Sequence, residues 1–515
     1  MAPATKRSVA SDIHISQLRE LLRGTAAQVL TPADSGYGAT LLRWSRAAEK
    51  PAGVSIVPTT AEQISVALKF ATDNGIDVAV KGGGHSTAGA SSTEGGMLID
   101  LGRMRAVHVD PEKQQLHVQG GALWGDVDEA GYRHGLATVG GTVADTGVGG
   151  LTLGGGYGAL SGQYGLVIDN VVSQTVVLAD GEIVTASREK NSDLFWALLG
   201  AGQNFGVTTE FVFQAYPQQD IYMGTLVFLP TPENVKKLVK AVNEIYAVPS
   251  TGGRSKSQGK SGGLLGFGKP PDAGGNSVLL FLASYFGTEQ EGRELFKPLL
   301  DVGPIVNTLA MGPYPQVNKM VPAIIGMRSS MKGAAFVMPI REKFLSQQLA
   351  EFDRFTEETP DAATTMVAWE LYDPSVVVQK DNGSFANRGY HLNSLIMPMW
   401  SDPANDQQCR QWARERSLDF KKELEVHGMP TSKGIEGGAS VRGHKGGVLL
   451  YGNYDQYDEI SKDIFGDSYE RLQALKAEYD PTNVFNKLFP ITPAAGANGH
   501  AYSGAHGSRL NASGN

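Results

Sequence analysis

Apolar residues in the first part of the chain fall into short, valine-rich runs separated by stretches of helical period. Gly53-Val54-Ser55-Ile56-Val57-Pro58 reads as a strand stopped by its proline. Thr59 or Thr60 then caps a helix through roughly Asn74, with Ile64, Val66, Leu68 and Phe70 as its apolar positions. Ile76 to Val80 is the next strand, followed by Met97 to Leu101, Ala106 to Val109 and Leu116 to Val118. Trp124 to Gly135 reads as a helix closed by its glycine, and Val171 to Ser187 as a hairpin turned at Asp180-Gly181. Leu194 to Leu199 is a short helix, and a strand runs on to Tyr216-Pro217. Beyond Pro217 the pattern changes to strands such as Leu226 to Leu229 and Val278 to Leu282 among helical stretches. Ser250 to Asn276, rich in Gly, Ser and Lys, is expected to be an exposed, mobile loop.

These runs divide the chain into a first portion at 40–220, a middle domain at 221–446 and a last structured portion at 447–493. Residues 494–515, mostly Ala, Gly, Ser and His, have too few apolar side chains to fold and are expected to be disordered. At 515 residues the chain is long enough for more than one domain. A net charge of −8 without a basic cluster argues against nucleic acid as a partner. The single Cys409 excludes an intrachain disulfide, and no apolar run is long enough to span a membrane. The N-terminus lacks the apolar core of a secretory signal, so an intracellular protein is expected. Histidines in metal-binding spacing and a Gly-x-Ser-x-Gly elbow are both missing, which removes metallohydrolase and serine-hydrolase chemistry. Oligomeric state is left open.

Glycine is where the chemistry shows. Val78-Ala79-Val80-Lys81 runs into Gly82-Gly83-Gly84, then His85 and Ser86. Without a Cβ, such a loop turns backbone N–H groups towards an anion and suits a pyrophosphate. It has neither the Gly-Lys-Ser/Thr of a P-loop nor the Gly-x-Gly-x-x-Gly of a dinucleotide fold. Further clusters stand at Gly140-Gly141-Thr142-Val143, at Gly147 to Gly158, and at Gly202 to Val207.

With Tyr164 to Asn170, Tyr451-Gly452-Asn453-Tyr454 and Tyr479-Asp480-Pro481-Thr482-Asn483-Val484-Phe485-Asn486, these segments resemble FAD-linked oxidases of the vanillyl-alcohol-oxidase type, in their berberine-bridge-enzyme-like branch. The resemblance implies an α+β fold, with a two-part FAD-binding domain of this type and an inserted α+β substrate domain containing an antiparallel sheet. It implies FAD held by a covalent 8α-histidyl bond to His85. A second, cysteinyl bond is not expected, because Val143 stands where the family's cysteine would fall. The same resemblance gives Lys81, Gly82, Gly83, Gly84, Ser86, Gly141, Thr142, Gly147, Gly149, Gly150, Gly154, Val207, Asn453 and Asn486 as cofactor contacts. Glu370, Tyr372 and Asn393 are expected at the substrate.

The implied reaction moves hydride from an alcohol, sugar or phenolic substrate to FAD and on to O2, giving H2O2. Tyr454 is the expected base, working as phenolate if positive charge lowers its pKa, and Asp145 in the flavin-side loop is the second candidate. If residues 451–454 form a strand, Tyr451 and Tyr454 point to opposite faces. Alternatives are a dehydrogenase serving another acceptor, and an oxidative cyclase or a flavoprotein without turnover.

Overall fold

The computed structural model describes residues 7–249, 253–270, 273–321, 326–427 and 449–495. The valine-rich runs pack side by side as the first sheet, in the order β1 (Gln28–Leu30), β2 (Val54–Val57), β4 (Met97–Asp100), β3 (Val78–Lys81). Strands β2, β4 and β3 are parallel, and each is buried on both faces, as their lack of alternation requires. Helices α1 (Asp12–Leu21) and α2 (Ala61–Asp73) set Leu18, Ile64, Ala67 and Leu68 into the core against Val54, Ile56 and Ile99. The first lobe thus starts ahead of residue 40. β1 is an edge strand of three residues, too short to register as a periodic run.

The second sheet is antiparallel: β5 (Val107–Asp110), β6 (Gln115–Gln119), β9 (Val207–Gln214), β7 (Val171–Val177) and β8 (Ile183–Ser187) in spatial order. The β7–β8 hairpin turns at Gly181, whose φ of 89° is the left-handed value that turn needs. Helix α3 (Trp124–Tyr132) ends near Gly135, also left-handed at φ 67°.

The third sheet forms the second lobe and is again antiparallel. Its main strands run β10 (Ile221–Phe228), β12 (Val278–Tyr285), β11 (Ser261–Gly268), β14 (Met366–Leu371), β15 (Leu392–Met397), β13 (Lys332–Phe336). Strand β11 overturns the expected loop. Ser-Gly-Gly-Leu-Leu-Gly-Phe-Gly lies in the middle of the sheet, paired with β12 on one side and β14 on the other. Its glycines are there for close packing. A Cβ on Gly263 would sit 2.8 Å from the Tyr246 hydroxyl, and one on Gly266 2.8 Å from the Val367 carbonyl. Composition suggested solvent; crowding is the actual cause.

Cys409 is buried, and burial pushes its thiol up to about 12, so it has no thiolate chemistry near neutral pH. Among the described residues no helix is long and apolar enough to cross a membrane, and no cluster of His, Cys, Asp and Glu suits a metal ion. The tail expected to be disordered lies outside the described residues from 496 onward, as does the expected boundary near 446.

After the second lobe the chain returns to the first. Helix α5 (Tyr469–Tyr479) packs against α4 (Ser192–Ala201), with Arg471 paired to Asp193 and lying 3.9 Å over the Trp196 ring. The Tyr-Asp-Pro-x-Asn-x-Phe segment is a structural staple. Lys476 Nζ donates to the Asn204 carbonyl (2.6 Å), Asp480 Oδ2 (2.6 Å) and the Phe485 carbonyl (2.7 Å). Asp480 in turn accepts from the backbone N–H groups of Val484 (2.8 Å) and Phe485 (2.9 Å). Both charged side chains are fully buried, so each depends on the other for solvation. A second pin joins the lobes, where buried Arg388 makes a bidentate pair with Asp169 at 2.7 and 3.1 Å. Replacing Asp480 by Ala strands the Lys476 charge, and chemical denaturation should show a loss of about 3–5 kcal/mol.

Candidate functional site

The site starts where β3 ends. Gly83 and Gly147 meet backbone to backbone: a Cβ on Gly83 would lie 2.4 Å from the Gly147 nitrogen, and one on Gly147 2.3 Å from the Gly83 nitrogen. Gly84 is left-handed at φ 72° and turns the chain so that His85 follows. The His85 ring stacks on Trp44, with centroids 5.4 Å apart and planes at 21°. Its Nε2 lies 3.4 Å from Asp145 Oδ1, long for a hydrogen bond, and that buried oxygen has no other partner. No hydrogen bond engages His85 Nδ1 among the described residues, which leaves it available to a ligand. Burial raises the Asp145 carboxyl, but hydrogen bonding and charge from His85 together outweigh it and leave it below its ordinary value. Asp145, the second candidate base, is therefore a carboxylate held beside His85.

The C-terminal segment holds this loop from above. Gln456 Oε1 accepts from Ser86 Oγ (3.0 Å) and from the Ala88 N–H (3.1 Å). Asn453 Nδ2 donates to the Leu151 carbonyl (3.1 Å) and the Tyr451 hydroxyl (2.9 Å), and its Oδ1 fills the space a Cβ on Gly154 would need. Residues 451–455 form a turn, with the N–H groups of Tyr454 and Asp455 both donating to the Tyr451 carbonyl. The strand expected there is absent. Tyr451 and Tyr454 consequently point the same way and meet edge to face at 4.8 Å.

Tyr454 reaches the inner face of the third sheet, where its hydroxyl donates to Glu370 Oε1 at 2.5 Å. Burial raises the Tyr454 phenol well above its ordinary value, and Glu370 raises it further. The expected phenolate does not form, because the neighbour is an acid rather than a cation. Glu370 is the group poised to titrate: burial pushes its carboxyl up to about 7, with the Tyr454 hydrogen bond pulling the other way. Tyr451, Tyr157 and Tyr372 continue the aromatic chain, with ring spacings of 4.9 Å from Tyr451 to Tyr157 and 5.6 Å from Tyr157 to Tyr372. Tyr157 donates to Asn387 Oδ1 at 2.6 Å. Glu370 Oε2 and Asn393 Nδ2 are buried without hydrogen-bond partners, as are both ring nitrogens of His391.

Beside this cluster a cleft of about 590 Å³ opens between the lobes, bordered by Thr142, Tyr157 and Gly158 on one side and by β11, β12 and β14 on the other. Glu370 and Tyr372 stand in its wall.

Several expected cofactor contacts have other occupations. Lys81 Nζ is bound to Asp100 Oδ2 (3.0 Å) and the Thr40 carbonyl (3.2 Å), its register neighbours at the sheet's end. Val207 is a core residue paired with Val177, so its side chain cannot meet a ligand. Gly150 is exposed, with open space where a Cβ would go. Gly141 packs on Trp124, and Gly149 lies 3.0 Å by its Cβ position from the Gly120 carbonyl. Asn486 bonds locally to the Asn483 carbonyl, away from the cleft. Gly82, Gly83, Gly84, Ser86 and Gly147 remain together around His85, and the cleft wall adds Thr142. Sequence reading missed Trp44, Tyr157 and Gln456. For Tyr157 there was a signal, since a large aromatic inside a run of glycines needs a reason.

An FAD fits this arrangement on physical grounds. The Gly83–Gly147 contact leaves two backbone loops side by side, buried Asp145 Oδ1 has no hydrogen-bond partner, and His85 stands at these loops in the first lobe. Residues 52–187 match the family model of the FAD binding domain, and residues 450–491 that of the berberine and berberine-like family. The FAD-linked oxidoreductase pgmH of Aspergillus terreus is 32% identical over 490 residues, covering 93% of this chain and 96% of that protein. Among solved structures, 6-hydroxy-D-nicotine oxidase from Arthrobacter nicotinovorans superimposes with a TM-score of 0.73 at 23% identity, over 91% of this chain and 98% of that one. A chitooligosaccharide oxidase gives 0.71 at 21% identity, over 94% and 100%.

Replacing Tyr454 by Phe removes the hydrogen bond that favours ionised Glu370. The Glu370 titration should move above its present position near 7, read from the protonated carboxyl band in infrared difference spectra of variant and parent.

Proposed function

Because the chain belongs to the berberine-bridge-enzyme-like FAD-linked oxidoreductases, we propose that it is an oxidase holding FAD by a single covalent bond to His85 and oxidising a hydroxyl-bearing small molecule, with Glu370 and Tyr454 taking the proton. When bound, FAD supplies the hydride acceptor and passes the electrons to O2, with H2O2 as the product. The observation that carries the reading is the 2.5 Å Tyr454–Glu370 hydrogen bond beside the interlobe cleft.

Each residue then has a task. Asp145 on Nε2 orients the His85 ring and favours the tautomer whose Nδ1 has a free lone pair to form the bond. Val143 has no thiol, so the attachment is single. Gln456 fixes the loop that carries His85 by bonding Ser86 and Ala88. Tyr454 Oη receives the substrate's hydroxyl proton while its own passes to Glu370, so no buried phenolate has to persist.

Two measurements test this. Acid precipitation of the purified protein should leave the yellow colour in the pellet, and His85→Ala should release it to the supernatant. Colour released from the parent protein would remove the covalent attachment from the reading. The proton must go to an ionised Glu370, so kcat/KM should rise with pH through about 7 and fall tenfold per unit below it. In Glu370→Gln that limb should vanish, with turnover reduced by about 10²–10⁴-fold.

A further inference from the structure

Glu370 stands at one end of an apolar row in the cleft. On the inner face of the third sheet, Leu264 is the register partner of both Leu282 and Glu370, so the two leucines and the carboxylate form a row across three neighbouring strands. All three line the cleft. Val317 and Met320 cover the row from the opposite wall.

Two polar side chains of the lining away from Glu370 are already committed. Ser284 Oγ donates to the Gly262 carbonyl at 2.9 Å, and Asn318 Nδ2 donates to buried Asp128 at 2.7 Å. Asn318 also accepts the Ala144 N–H through its carbonyl at 2.9 Å, which fixes that wall against the flavin-side loop. At the end of the row, buried Glu370 Oε2 has no hydrogen-bond partner.

We infer that the substrate is a rigid, apolar, aromatic body carrying its reactive hydroxyl at one end, and that Leu264 and Leu282 select for it against sugars. The inference rests on the proposed function only in taking this cleft as the substrate site. A sugar ring presents hydroxyls around its whole rim, and those laid on the leucine row would lose water without gaining a partner. A flat aromatic ring loses nothing there, and its one hydroxyl meets the group able to accept a proton. The lining of the cleft is mostly apolar, as is typical of a small-molecule site.

The test is equilibrium titration of the holoenzyme with 2-naphthol and, separately, with cellobiose, followed by 2-naphthol emission and by the flavin absorption band. Saturable binding of 2-naphthol is expected, with cellobiose about a hundredfold weaker or more. Leu264→Gln should weaken 2-naphthol about tenfold, and Leu264→Met should leave it near the parent value. Cellobiose binding as tightly as 2-naphthol would overturn the inference, and so would a 2-naphthol affinity unchanged in Leu264→Gln or no 2-naphthol binding at all. If Leu264→Gln does not fold, the comparison of the two probes on the parent protein still decides. Emission reports binding without turnover. An acid-labile flavin would therefore undo the covalent attachment and an active Glu370→Gln the proposed proton transfer, and each would leave the substrate class standing.

Discussion

The site depends on one close contact, the meeting of Gly83 with Gly147. A side chain on either glycine would clash with the other's backbone and force the two strands of chain apart, and with them the loops bearing His85 and Asp145. The His85–Asp145 pair at 3.4 Å and the Trp44 stack follow from that approach. What looks in sequence like a string of anion-binding glycines is in part a packing surface. Gly140, Gly141, Gly155 and Gly158 all lie where a Cβ would strike a neighbouring ring or carbonyl.

The second organising element is the returning C-terminal segment. It belongs to neither lobe alone. Lys476 and Asp480 bind it to the first lobe through buried charge, whereas Tyr454 reaches Glu370 in the second and Gln456 holds the loop beside His85. Electrostatics inside the site follow from what this segment brings. It supplies phenols rather than cations, so burial governs Tyr454 and Glu370 without opposition from positive charge.

Much of the first lobe could be read from the chain, because its elements advertise themselves locally. The run Val54–Val57, the helix Ala61–Asp73 and the Asp-Gly hairpin after Val177 each follow from a short-range rule. His85 and Glu370 were likewise reachable through the resemblance. The remainder was hidden because long-range packing decided it. Ser261–Gly268 has the composition of a loop and is a central strand, since its glycines answer to Tyr246 and Val367 from distant parts of the chain. Lys81 and Val207 sit inside the expected motifs, yet Asp100 and Val177 claim them, and neither pairing follows from spacing. The roles of Tyr454 and Asp145 turned on which partner each one faced, a matter of tertiary geometry alone.

The Gln456 clamp also sets an order of events during synthesis. The loop carrying His85 leaves the ribosome early, some 370 positions before the glutamine that bonds Ser86. Until the last portion of the chain has emerged, that loop has Trp44 and Asp145 within reach but nothing holding it from above, and Glu370 has no phenol to bond. A nascent chain can therefore build all three main sheets and still lack the assembled centre. The centre is assembled only once residues 451–456 have joined it, which keeps the reactive groups from being brought together in a half-made molecule.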